Sequence, residues 1–146
     1  MGIRILLVED RKEFRESLRS FLEKERDFEI VGEAEDGRRA VEKTEELRPE
    51  VVIMDVVLPE LGGIEATRLI KKKFPETKVL ALSIYSDKEL VAEMFKAGAS
   101  AYVSKENVFE ELTKAIRLVS SGRFYLSPSL RKRDVLDLLQ KLERKA

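Results

Sequence analysis

Five short apolar runs alternate with five amphipathic stretches along most of this chain, and that alternation leaves few folds open. The runs lie at 3–8, 28–34, 51–54, 79–82 and 101–103. Most are too short for helices, rich in Val, Ile and Leu, and bounded by charges or turn residues, so they predict strands. Their near-continuous apolarity is the pattern of strands covered on both faces of a parallel sheet.

Between the runs the period becomes helical. Phe14, Leu18, Phe21 and Leu22 line one face of the first stretch; Ala40, Val41, Thr44 and Leu47 line the second, which Pro49 ends. Ile64, Thr67, Leu69 and Ile70 mark the third, closed by Pro75. Leu90, Val91, Met94 and Phe95 mark the fourth, stopped by Gly98, and Val108, Leu112, Ala115, Ile116 and Val119 mark the fifth, stopped by Gly122. Right-handed crossovers then give an α/β unit over 1–121, (βα)5, with a doubly wound parallel five-stranded sheet and helices on both faces. A linker is expected at 122–128, and a C-terminal amphipathic helix over 129–146. In that helix Val135, Leu138, Leu139 and Leu142 fall at i, i+3, i+4 and i+7.

Composition removes several chemistries. Without cysteine there are no disulfides or thiolate metal sites, and without histidine no Ser-His-Asp triad, histidine metal site or phosphohistidine carrier. The 28 basic and 28 acidic residues cancel, so no net field draws in nucleic acid or an anionic membrane. The first apolar run is ended by Glu9 and Asp10, too soon to span a bilayer, and no cleavage pattern follows. A soluble, cytoplasmic protein without a membrane partner is expected. The 38% of charged residues, with one asparagine, one glutamine and no tryptophan, is the bias of hyperthermophile proteins. It predicts a hot habitat and says nothing about function.

Candidate chemistry lies where each strand ends. In an open sheet of flavodoxin-like order 2-1-3-4-5, ligands bind at the carboxyl ends of the strands, where the strand order reverses. Glu9 and Asp10 follow the first run, Asp55 the third and Lys105 the fifth, while Ser83 ends the fourth. The first and third strands are neighbours in this order, so the three carboxylates converge. Two unit charges ~4 Å apart interact by about 4 kcal/mol at an effective dielectric of about 20. A hard cation offsets that repulsion, and a few carboxylates supplemented by water suit Mg²⁺. Lys105 adds a mobile positive charge and Ser83 a neutral donor, a set that stabilises a phosphoryl group in transfer. Asp55 is the expected nucleophile, since a carboxylate can form an aspartyl phosphate. Taken singly, each acid reads as a turn residue or helix cap, Lys105 as a surface lysine and Tyr102 as a sheet residue with a polar tip. Their shared sheet edge gives the functional reading its weight.

The segments Leu7-Val8-Glu9-Asp10, Met54-Asp55-Val56-Val57-Leu58-Pro59, Gly62-Gly63-Ile64-Glu65, Ala81-Leu82-Ser83 and Gly98-Ala99-Ser100-Ala101-Tyr102-Val103-Ser104-Lys105 together resemble the receiver domains of bacterial two-component response regulators. Gly63-Ile64-Glu65-Ala66-Thr67 and Gly122-Arg123 through Tyr125-Leu126-Ser127-Pro128 resemble the NarL/FixJ (LuxR-type) branch. The resemblance implies that Asp55 accepts phosphate from a sensor histidine kinase. It implies that Glu9, Asp10, Asp55 and the backbone carbonyl of Val57 surround Mg²⁺, and that Ser83 and Lys105 bind the phosphoryl oxygens. Tyr102 would be the aromatic switch that moves as Ser83 is drawn in. Two positions depart from the pattern: Glu9 stands for the commoner Asp, and Glu106 follows Lys105 where many receivers carry Pro.

The branch usually continues into a helix-turn-helix output module, and only 24 residues follow Gly122. Residues 131–139 resemble the opening helix of such a module, so DNA would be reached only through an output domain absent from this chain. The alternative is a stand-alone receiver acting by protein–protein docking. Residues 129–146 hold six basic and three acidic side chains, read first as the solvated face of a docking helix. A homodimer through the fourth, fifth or tail helix is a further expectation. The rival of another class is a Mg²⁺-dependent phosphatase with an aspartyl nucleophile. Such enzymes place a second acid two residues after the nucleophile, and that position here is Val57, which cannot donate a proton.

Overall fold

The computed structural model describes residues 2–145; Met1 and Ala146, which end the two expected units, lie outside the described residues. Strands β1 (Ile3–Val8), β2 (Phe28–Ala34), β3 (Val51–Asp55), β4 (Lys78–Ser83) and β5 (Ala101–Ser104) fall on the five apolar runs. Helices α1 (Lys12–Leu22), α2 (Gly37–Leu47), α3 (Gly63–Lys73), α4 (Lys88–Ala97) and α5 (Val108–Ser120) fill the intervals. All strand pairs are parallel. The order 2-1-3-4-5 is present, and β6 (Tyr125–Leu126) extends it at the β5 edge.

That sixth strand occupies the segment expected to be a plain linker. Tyr125 and Leu126 suit a strand, and the turn at Gly122 (φ 87°) returns the chain to the sheet edge. Tyr125 pairs with Ala101 and Leu126 with Tyr102. A single 3-10 turn, Pro128–Leu130, then leads into α6 (Arg133–Lys145), which starts four residues later than the amphipathic pattern suggested.

The sheet separates two cores. On one face Leu6, Val8, Val52, Met54, Ala81 and Tyr102 meet Ala40 of α2, Ala66 and Ile70 of α3, and Val91 and Met94 of α4. On the other, Leu7, Ile53, Leu82 and Val103 meet Leu18 and Leu22 of α1 and Leu112, Ile116 and Val119 of α5. Helix α6 lies against α4. It carries Val135 into the first core beside Leu126 and Leu130, with Leu139 packed on the rim. Leu69, expected on the buried stripe of the third helix, is exposed instead, and Ala66, Thr67 and Ile70 form the inner face. Gly98 ends α4 in the left-handed conformation at φ 114°, which a side chain resists. Among the described residues no helix is long and apolar enough to cross a membrane.

Candidate functional site

The chain leaves β1 toward β2 on one side and β3 on the other, so the switch point lies between β1 and β3. Each acid is delivered there by the end of a strand. Glu9 follows β1 and is only 1% exposed. Its Oε2 accepts the backbone N–H of Arg11 at 2.9 Å, and its Oε1 accepts from Lys105 Nζ at 2.9 Å. Asp55 closes β3 at 5% exposure. Its Oδ1 accepts the N–H of Val57 at 3.2 Å and its Oδ2 accepts from Lys105 Nζ at 3.1 Å. Asp10 sits beside them, exposed, and one oxygen from each of the three carboxylates lies within 4.8 Å of the others.

Lys105 comes from the same sheet edge, just past β5, with its ammonium 4.8 Å from the centroid of the Phe14 ring. The ring face favours a cation there and helps hold the ammonium between two acids. A cleft of about 100 Å³ opens at this point, lined by Asp10, Asp55, Val57, Ser83, Tyr85 and Lys105 among others. A larger apolar cavity of about 470 Å³ lies between α4, β6 and α6, and none of the three carboxylates lines it.

The donor set fits a hard divalent cation. It is all oxygen, and its three carboxylates face a single ammonium, which bonds two of them. Val57, the proposed fourth ligand through its carbonyl, lines the same cleft.

Ser83 ends β4 at 1% exposure, and its Oγ accepts the N–H of Tyr85 at 2.9 Å. Tyr102, fully buried in β5, donates its hydroxyl to the Tyr85 carbonyl at 2.8 Å. One backbone unit in the β4–α4 loop therefore joins the two residues singled out as a switch. Burial raises the Tyr102 phenol to about 12; a hydrogen bond with Ser83 works the other way, and the charges of Asp87 and Asp55 add to the rise.

Sequence reasoning missed Arg15. This buried arginine donates from Nη1 to the Glu9 carbonyl at 2.7 Å and from Nε to Glu33 Oε1 at 2.6 Å. It thereby ties α1 to the main chain that bears Glu9 and Asp10. Burial pushes Glu33 up, but the guanidinium groups of Arg19 and Arg15 more than offset this and hold it below the usual carboxylate range. A signal was available: Arg15 precedes Leu18 and Leu22 at helical spacing, a charge in register with the core stripe.

Fold and cleft together define a class: flavodoxin-like α/β domains with an acidic pocket and one lysine at the carboxyl end of a parallel sheet. The chain belongs to the response regulator receiver domain family, whose profile matches residues 5–117. It is 39% identical over 128 residues to the transcriptional regulatory protein DegU of Brevibacillus brevis, a match covering 88% of this chain and 54% of that protein. With the response regulator GacA of Pseudomonas viridiflava the identity is 36%, covering 88% of this chain and 60% of that protein. The chain thus spans little more than half the length of these curated relatives. A two-component response regulator of the LuxR family from Aurantimonas sp. SI85-9A1 superposes with a TM-score of 0.84 at 33% identity, covering 99% of this chain and 98% of that one. The response regulator domain of Thermotoga maritima CheB gives 0.78 at 35% identity, covering 83% and 98%. These relatives support the NarL/FixJ-type assignment drawn from the motifs.

Proposed function

We propose that this chain is a phosphorylation-switched receiver in which Asp55 accepts a phosphoryl group from a sensor histidine kinase. The observation that carries the reading is the shared lysine: Lys105 bonds Asp55 and Glu9 at once, at the mouth of a cleft open to a donor. An Asp55 oxygen attacks phosphorus, the bond from phosphorus to the donor nitrogen breaks, and that nitrogen leaves with the electron pair. Glu9, Asp10, Asp55 and the Val57 carbonyl would hold Mg²⁺. When bound, the ion neutralises charge on the phosphoryl oxygens. Lys105 exchanges its bond to Asp55 for one to a phosphoryl oxygen. Ser83, which accepts from the Tyr85 N–H, turns its hydroxyl to the new group, and the loop joined to Tyr102 follows.

Output through a transcription-regulating domain outside this chain is the reading favoured by DegU, a transcriptional regulatory protein by name. Docking without DNA is the alternative, and a homodimer through α4, α5 or α6 fits either. A phosphatase is disfavoured because Val57, 54% exposed at the cleft, offers no proton for a leaving group. The test is incubation with acetyl phosphate and Mg²⁺ followed by intact mass. One added phosphoryl group is expected on the wild type and none on Asp55→Asn; equal labelling of both would refute the reading.

A further inference from the structure

The segment expected as a linker is fastened to the lysine end of the sheet by one buried hydroxyl. Ser127 has no exposed surface, and its N–H donates to the Tyr102 carbonyl at 3.0 Å. In a parallel ladder the next bond would run from the Ser104 N–H to the Ser127 carbonyl. It ends instead on Ser127 Oγ, at 2.9 Å. The Ser127 hydroxyl donates in turn to Glu111 Oε1 on α5 at 2.6 Å, and the same oxygen accepts the Tyr125 hydroxyl at 2.9 Å. Glu111 therefore fixes the serine rotor with a lone pair facing the Ser104 amide.

Ser104 immediately precedes Lys105, and its own Oγ accepts the N–H of Glu106 at 3.3 Å. The main chain on both sides of the lysine is thus pinned, and the pin is anchored in the tail. We propose that Ser127, held by Glu111, is a positioning residue for Lys105. This rests on the assignment of Lys105 to the phosphoryl oxygens. The ammonium must reach from the end of β5 to acids on β1 and β3, so a shift at Ser104 is carried to its tip. Removing the hydroxyl leaves a buried N–H without an acceptor, and the chain around Ser104 must relax to find one. A displacement of about 1 Å in a catalytic group can cost on the order of 100-fold in rate.

The experiment measures the rate of labelling by acetyl phosphate, and Mg²⁺ affinity by calorimetry, in the full chain and its variants. Ser127→Ala is expected to label on the order of tenfold more slowly without any weakening of Mg²⁺ binding. In a Lys105→Ala background the same substitution should add no further slowing, because the group it positions is gone. Wild-type labelling by Ser127→Ala, or equal slowing with and without Lys105, overturns the proposal. Should Ser127→Ala not fold, Glu111→Ala keeps the hydroxyl but frees its rotor. It should slow labelling severalfold, with Glu111→Gln restoring it; an unslowed Glu111→Ala overturns the proposal equally. A wild type that takes no phosphoryl group refutes the phosphoacceptor reading itself, a result distinct from either of these.

Discussion

The hydroxyl of Tyr102 is bonded to the main-chain carbonyl of Tyr85, 2.8 Å away, so a fully buried ring in β5 anchors an exposed loop that opens onto the cleft. The N–H of that same Tyr85 is held by Ser83. The β4–α4 loop therefore has two tethers, one on each side of a single residue, and they belong to the two proposed switch residues.

Tyr102→Phe removes one tether while keeping the ring in the core. A neutral hydrogen bond contributes about 0.5–1.5 kcal/mol, and the freed carbonyl lies on an exposed residue where water can replace the donor. Global stability should fall by less than about 1 kcal/mol. Amide exchange at residues 84–88 should rise by more than that at β1 or β3, as read by hydrogen exchange with mass spectrometry. Uniform protection across these segments would show that the bond does not hold the loop.

Lys105 places a positive charge against two of the three acids proposed as metal ligands. A divalent cation must enter against that charge. Lys105→Met should therefore tighten Mg²⁺ binding by about 1 kcal/mol, roughly fivefold, at moderate ionic strength. It should slow phosphoryl transfer at least tenfold by removing the group proposed to meet the phosphoryl oxygens. Calorimetric titration and labelling rates measure the two effects separately. Loss of both together would place the lysine in folding rather than in the chemistry.

Arg15 is buried, and its guanidinium is divided between Glu33 and the Glu9 carbonyl. Arg15→Ala leaves that carbonyl without its donor and removes one of the two cations from Glu33. Glu33 keeps Arg19 and is partly exposed, so the cost should fall near 2–3 kcal/mol, below that of an isolated buried pair. The denaturation midpoint reads this directly. Mg²⁺ affinity should weaken as well, because the backbone bearing Glu9 and Asp10 loses its hold on α1.

Strands β1, β3, β4 and β5 were legible because each is largely a run of buried residues too short for a helix; β2 is buried only at Phe28 and Ala34 and was legible from its short, mainly apolar run. The convergence of the candidate residues was legible because an α/β sheet sends strand ends to one edge, which places Glu9, Asp10, Asp55, Ser83 and Lys105 together without any knowledge of side-chain direction. The sixth strand was not legible. Two residues carry no periodicity, and Tyr125-Leu126 becomes a strand only because the β5 edge lies alongside. Ser127 was hidden for a related reason: a serine before proline reads as a turn, and its burial depends on Glu111 from a different element. Arg15 was visible as a charge in an apolar stripe, yet its partner, a main-chain carbonyl, leaves no trace in sequence.

Two tyrosines predict a loss of stability in alkali. Burial, with lesser contributions from nearby acids, raises Tyr102 from 10.0 to about 12. Burial and then the bond to Glu111 raise Tyr125 from 10.0 to about 12. The folded state thus holds these protons more tightly than the unfolded chain does, and stability must fall as pH rises between the two values. The contribution is complete below pH 10 and is lost on approaching pH 12. Denaturant midpoints across that interval should drop, and Tyr102→Phe should flatten the decline. A midpoint unchanged across the interval would contradict the burial of both phenols.

The β3–α3 turn offers a sharp contrast between adjacent glycines. Gly63 opens α3 directly beneath Asp55, the proposed phosphoacceptor, and a Cβ built there would lie 2.2 Å from the Asp55 carbonyl oxygen and 2.8 Å from Val56 Cα. Both obstacles are main chain, so neither can swing aside as a side-chain tip would, and α3 must move away from the end of β3. The N–H of Gly63 also donates to the Val56 carbonyl at 3.0 Å, a bond that such a movement would break. Gly62, one residue earlier, has open space at its Cβ and an ordinary φ of −64°. Gly63→Ala should therefore cost about 2–4 kcal/mol, as overpacking combined with a lost buried hydrogen bond. It should also slow labelling of Asp55 well beyond any fraction unfolded, since the displaced backbone carries the proposed phosphoacceptor. Gly62→Ala should stay within about 0.5 kcal/mol of wild type and label normally. Thermal melts and acetyl phosphate labelling of the two variants side by side make the comparison; equal behaviour would mean that α3 can slide without disturbing the strand end it caps.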